Sequence, residues 1–165
     1  MTEEFLRIRF KLASLFLQFP DESLMAFLDS MEEAVKSLPA EKPRRIFENL
    51  LFHFRQTPLL DLQEDYTRVF DLNPSTTLNL TYHQWGNEKK RGDALVRLSS
   101  IYRDAGYEPS PTELPDFLPM IFEFLSVAPE PIQTQMRNDL NEYIMALGSK
   151  LKEAESIYAS LFDAL

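Results

Sequence analysis

The sequence predicts an all-α protein, a single-domain bundle of about six to eight helices over residues 1–165. Three observations carry this. Apolar residues recur at steps of three and four through almost every segment, prolines punctuate those segments, and no useful length of chain alternates apolar with polar residues as a half-buried strand would. A chain of 165 residues can bury roughly 70% of the surface that its unfolded form exposes, so a core forms without cross-links.

In the first segment Phe5, Ile8, Leu12, Leu15 and Phe19 fall on one helical face, and Pro20 ends it. Asp21 is a natural N-cap for a second stripe, Leu24, Phe27, Leu28, Met31 and Val35, closed by Pro39. Pro43 suits a first helical turn and opens a third, with Ile46, Phe47, Leu50, Leu51 and Phe54 inward and Pro58 at its end. Residues 59–70 read as a fourth helix, with Glu64 and Arg68 at i,i+4 and Tyr66 and Phe70 one turn apart. Residues 71–75 are a turn.

Residues 78–98, LNLTYHQWGNEKKRGDALVRL, hold the only Trp, one of two His and two of four Gly. The stretch reads as an aromatic hinge, Tyr82-His83-Gln84-Trp85-Gly86, leading into a helix with Ala94, Leu95, Leu98, Ile101, Tyr102 and Ala105 on one side and Gly106 at its C′ position. Residues 107–112 are loop. In ELPDFLPMIFEFL, residues 113–125, Pro115 and Pro119 lie four apart and each lacks a backbone donor, so a capped or distorted first turn is expected before Phe117, Ile121, Phe124 and Leu125 run inward. A last segment from Pro131 carries Ile132, Met136, Leu140, Ile144, Leu147, Leu151, Ile157 and Leu161, and Gly148 is expected to kink or split it.

Composition narrows the function. Without Cys there is no disulfide, thiolate nucleophile or Cys-based metal site. A net charge of −9 and a pI near 4.7 disfavour nucleic acid and anionic lipid and favour a basic partner. No long uncharged apolar window spans a membrane, and the acids before the apolar part of the first segment argue against a secretory signal, so a cytoplasmic protein is expected. His53 and His83 have no second His at ligand spacing, no phosphate-binding Gly-rich loop or G-x-S-x-G occurs, and the paired carboxylates Glu32-Glu33 and Asp61/Asp65 read as solvated faces. No cofactor, metal or catalytic set is expected. Trp85 and Tyr82 beside fixed charges suit recognition, although Trp85 could equally plug a helix joint. Arg91 is expected to pair with Asp116 or Glu123, and Gly92 to allow close helix approach.

The order Tyr66-x3-Phe70-Asp71, His83-x2-Gly86 with Arg91-Gly92, Tyr102, and Glu113-Leu114-Pro115-Asp116-x-Leu118-Pro119 with Glu123-Phe124-Leu125 resembles the NarJ-type branch of the redox-enzyme maturation chaperones, the TorD/DmsD/NarJ group. The likeness is densest over residues 65–128. It implies an all-helical cytoplasmic chaperone, not an enzyme, that binds the catalytic subunit of a molybdopterin-containing oxidoreductase such as nitrate reductase, at an N-terminal leader of twin-arginine type, and assists cofactor insertion. Carboxylates meeting guanidinium groups beside aromatic rings would suit such a leader.

Three departures bear on the client. Many relatives have His where Phe117 stands, nitrate-reductase chaperones tend to an acid at the Tyr82 position, and Trp85 replaces a residue that is often His. A dimethyl sulfide, selenate, chlorate or hydrocarbon dehydrogenase is the alternative client. The expected site is one peptide groove, with Tyr66, Phe70, Tyr82, His83 and Trp85 as aromatic and hydrogen-bonding wall, Glu113, Asp116 and Glu123 as acidic side, and Phe117 beside them. Gly86, Arg91, Gly92, Pro115 and Pro119 would support it. A homodimer stays open, as do a plain helical scaffold and, from another class, a small metal-dependent hydrolase using Asp and Glu with His83.

Overall fold

A computed structural model describes residues 3–165. Among these the chain forms nine α-helices: α1 (Glu3–Phe16), α2 (Glu22–Lys36), α3 (Glu41–Gln56), α4 (Leu59–Tyr66), α5 (Tyr82–Trp85), α6 (Lys89–Asp104), α7 (Leu118–Val127), α8 (Glu130–Glu153) and α9 (Ala159–Phe162). Seven are eight residues or longer and two are single turns, which fits the expected bundle.

The stop and start signals act largely where the sequence places them. Asp21 is extended and its carboxylate accepts from the Leu24 N–H at 2.8 Å, satisfying one of the orphan donors at the start of α2. Pro43 sits at the third position of α3 rather than the first, still within the turn whose N–H groups have no intrahelical partner. Gly106, at φ +72, closes α6: its N–H donates to the Arg103 carbonyl at 3.0 Å and that of Tyr107 to Tyr102 at 2.9 Å.

Two expectations change. The fourth helix is α only to Tyr66; Thr67–Asp71 widens into a π-helical turn, marked by the Leu72 N–H reaching the Thr67 carbonyl at 2.9 Å. There Arg68 pairs with Asp65 instead of Glu64. Gly148 does not split α8, which runs unbroken for 24 residues. It is instead a contact point, since a Cβ at Gly148 would stand 3.0 Å from that of Phe162 on α9.

The core lies where α1 packs along α7 and against α3, which in turn meets α9. Phe10 stacks on Phe122 with centroids 5.7 Å apart, and Phe16 meets Phe47 and Phe54. Tyr158, before α9, is edge-on to Phe54, Tyr66 and Phe70, so the chain's last segment locks the middle helices. The end of α7, where helical carbonyls run out, is satisfied by neighbours: Arg7 donates to the Ser126 and Ala128 carbonyls at 3.2 and 2.7 Å, and Gln133 to Leu125 at 2.8 Å. Phe19 and Phe27, expected inward, are about half exposed. No described helix is long and apolar enough to cross a membrane.

Candidate peptide-binding site

The site is built around a joint between two segments that precede helices. Residues 78–80 lie beside 116–118: the Leu118 N–H donates to Leu78 at 2.8 Å, the Leu80 N–H to Asp116 at 3.1 Å, and Asn79 bridges Phe117 in antiparallel fashion. Prolines 115 and 119 explain why no helix forms earlier. Residues preceding a proline favour extended backbone, and Pro119 takes the second position of α7, where its missing N–H costs nothing. The Pro115 carbonyl accepts from the Tyr102 hydroxyl at 2.7 Å, which ties the turn to α6.

Asp116 is fully buried. A carboxylate out of water is tolerated only when hydrogen-bonded and paired, and here both conditions hold. Oδ2 accepts from the Thr81 N–H at 3.0 Å and from its hydroxyl, Oδ1 from the Asn79 amide at 3.1 Å, and the Arg91 guanidinium lies 3.5 Å away. Arg91 also donates to the Thr81 hydroxyl at 3.1 Å and covers the Tyr82 ring. The expected Arg91–Asp116 pair is therefore present. Asp116 as part of the groove's acidic side is corrected, because its carboxylate is buried and bonded inside the joint.

On one side of the joint lies an acidic groove of about 570 Å³. Tyr66, Glu113, Phe117, Pro119 and Glu123 are among its lining, together with Phe19, Asp71 and Asn79. Phe19 stands edge-on to Tyr66 at 5.5 Å and presents an exposed ring beside the carboxylates. The Tyr66 hydroxyl donates to the Leu17 carbonyl at 2.9 Å, and burial, with Asp71, Tyr158 and Glu113 nearby, pushes the phenol far above its usual range, so it stays neutral. Glu123 is already engaged, by Lys11 Nζ at 2.7 Å and the Tyr107 hydroxyl at 3.0 Å. Burial opposes its charge, but Lys11 and Tyr107 outweigh that and hold the carboxyl below the usual range. Asp71 and Glu113 are exposed and have no ion-pair partner among the described residues.

On the other side is a mainly apolar slot of about 340 Å³ between α6 and α8, closed at one end by Leu80 and Trp85. The single groove expected from sequence is thus two cavities. Tyr66 and Glu113 border one and Trp85 the other, with residues 79–81 between them. Phe70 borders neither: it is buried against Tyr66 and Tyr158, each at 4.9 Å, and is core rather than wall.

A family model described as nitrate reductase delta subunit matches residues 29–164, which include every residue of the joint and nearly all of the groove. The chain belongs to this delta-subunit family. NarJ of Escherichia coli K12, a nitrate reductase molybdenum cofactor assembly chaperone, is 33% identical over 161 residues, with 96% of this chain and 68% of NarJ covered. NarW of the same strain is 32% identical over 155 residues, covering 94% and 65%. NarJ of Bacillus subtilis 168 is 30% identical over 162 residues, covering 96% and 86%. The chain therefore spans about two thirds of the length of the E. coli relatives. Its fold matches a crystal structure of a candidate redox enzyme maturation protein from Archaeoglobus fulgidus, with a TM-score of 0.71 at 22% identity over 96% of this chain and 90% of that one.

In this delta-subunit chain the remaining expected residues have local duties. His83 bonds through Nε2 to the Thr77 carbonyl at 2.8 Å; a carbonyl only accepts, so Nε2 carries the hydrogen. Gly86 takes φ +52 and ψ −120, a turn conformation that a side chain disfavours, and releases α5 toward α6. Gly92 faces open space, which corrects the expected close helix approach. Phe19, Lys11 and the slot walls were missed. Phe19 precedes a proline after α1 has ended, so helical periodicity no longer says where it points, and Lys11 meets its partner 112 residues away.

Proposed function

We propose that this chain is a maturation chaperone, not itself an enzyme, that acts in the cytoplasm on the catalytic subunit of a molybdopterin-containing oxidoreductase such as nitrate reductase. Its acidic groove holds that subunit's N-terminal leader while cofactor is inserted. The observation that carries this reading is the groove itself: Asp71 and Glu113 offer uncommitted carboxylates beside the exposed Phe19 ring and Tyr66. Carboxylates and aromatic ring faces together suit a segment of arginines interleaved with apolar residues. The chaperone names of the E. coli and B. subtilis NarJ relatives support the client class.

Calorimetry tests it, using a synthetic leader peptide with paired arginines and an apolar flank. Wild type should bind, more weakly as salt rises, and Asp71→Asn with Glu113→Gln should weaken binding about tenfold. Absence of binding, or equal binding by the double variant, would refute groove recognition. Capture of the full chain and mass spectrometry of its partner identifies the oxidoreductase.

A further inference from the structure

We propose that the slot between α6 and α8 is a second docking surface, chemically opposite to the acidic groove, and that its occupant is an amphipathic helical segment of a partner protein whose flank toward α6 carries carboxylates.

Two apolar walls border the same open volume there. Ala94, Leu98 and Ile101 of α6 look across the open volume at Met136, Leu140 and Tyr143 of α8. Helices with facing apolar stripes ordinarily close to an axial separation of about 8–10 Å and interdigitate. Here α6 is held off by its supports. Arg91 fixes its first turns to buried Asp116, and the Tyr102 hydroxyl fixes its last turns to the Pro115 carbonyl, so it cannot slide down onto α8 without breaking the joint. A helix that inserts its own apolar stripe would complete the packing.

Charge selects among such helices. The chain is −9 overall, yet α6 carries five cations, Lys89, Lys90, Arg91, Arg97 and Arg103, against Asp93 and Asp104, a local net of +3. Arg91 pairs with Asp116 and Arg103 with Asp104, while Lys89, Lys90 and Arg97 have no carboxylate partner among the described residues. Arg97 lines the slot, and Lys90, Ala94, Arg97 and Ile101 follow steps of four and three that keep them on one helical face. The opposite wall presents Asp139. Carboxylates on the occupant therefore belong on the α6 side only.

The test uses Trp85, the sole tryptophan, which closes the slot and reports its occupancy. The probes are two Trp-free synthetic helical peptides with the same leucine stripe at i, i+3, i+4 and i+7, one flanked by Glu and the other by Lys. The full chain should give a saturable shift of Trp85 emission to shorter wavelength with the Glu-flanked peptide, at about tenfold higher affinity than with the Lys-flanked one. That order runs against the long-range field of a −9 protein, which would favour the basic probe anywhere else on the surface. Lys90→Glu with Arg97→Glu, both exposed positions checked for fold by circular dichroism, should reverse the order, while Asp71→Asn with Glu113→Gln should leave it unchanged. Equal affinity for the two probes on wild type overturns the proposal. So does an unreversed order in the folded variant, or an emission that shifts with protein concentration alone, which would assign the slot to a second copy of this chain.

Discussion

The Asp116 carboxylate takes both the backbone N–H and the hydroxyl of Thr81, and through Thr81 it holds the partition between the two cavities. Replacing it strands the Thr81 N–H, the Asn79 amide and the Arg91 charge together. Asp116→Ala should therefore lower stability by about 3–5 kcal/mol, the usual cost of breaking a buried pair, with Asp116→Asn losing less because one acceptor remains. Urea denaturation measures this. A loss below about 1 kcal/mol would mean the joint relaxes without its carboxylate.

Lys11 occupies the carboxylate that the groove would otherwise offer. Its pair with Glu123 is partly exposed, and such pairs are individually weak. Lys11→Gln should leave the fold intact and tighten binding of an arginine-bearing leader peptide about two- to fivefold, read by calorimetry at low salt. Unchanged affinity would show that Glu123 takes no part in recognition.

His83 makes stability depend on pH. Burial, and to a lesser degree Lys150, lower its pKa below 6.5, more than the Thr77 bond and Asp116 raise it. The fold therefore favours the neutral ring: its contribution is complete above pH 6.5 and is lost as pH falls through the depressed folded value. His83→Gln keeps a donor for the Thr77 carbonyl but does not titrate. Its melting temperature should fall less than that of wild type between pH 7 and pH 5, and parallel profiles would exclude His83 as the source.

Glu155 stands at φ 52, the left-handed position after α8, where the Ser156 N–H reaches back to Leu151 at 3.0 Å. That C′ position suits glycine, and an L side chain there costs about 1 kcal/mol. Glu155→Gly should raise the melting temperature by about 2–4 °C in thermal denaturation. A drop would show that the Glu155 side chain does more than tolerate the turn.

Local chemistry made most of the scaffold readable. Asp21, Gly106 and the proline boundaries act through neighbours a few residues away, and of the two acids expected for Arg91 it is Asp116 that pairs, while Glu123 is taken by Lys11. What periodicity does not contain is which helix a face will meet. Trp85 and Tyr66 both read as aromatic wall, yet they fall on opposite sides of residues 79–81, because Tyr66 ends α4 and Trp85 ends α5, two helices separated by this segment. Phe70 was lost for a related reason. Its pattern identified an inward face correctly but could not separate a groove lining from a core layer under Tyr158.

The π-helical turn at Thr67–Asp71 amounts to a change of phase written into the backbone. Where an α-helix returns to the same side after four residues, an i→i+5 turn returns after five, so Asp71 rather than Phe70 comes round toward the groove side of Tyr66 while Phe70 is tucked beneath it. One additional residue thus converts a buried aromatic ladder into a rim that ends in a free carboxylate. Regularising the turn to α without shortening the chain would bring Phe70 round instead and carry Asp71 past the cavity, taking the ring out of the core and the negative charge out of the recognition surface.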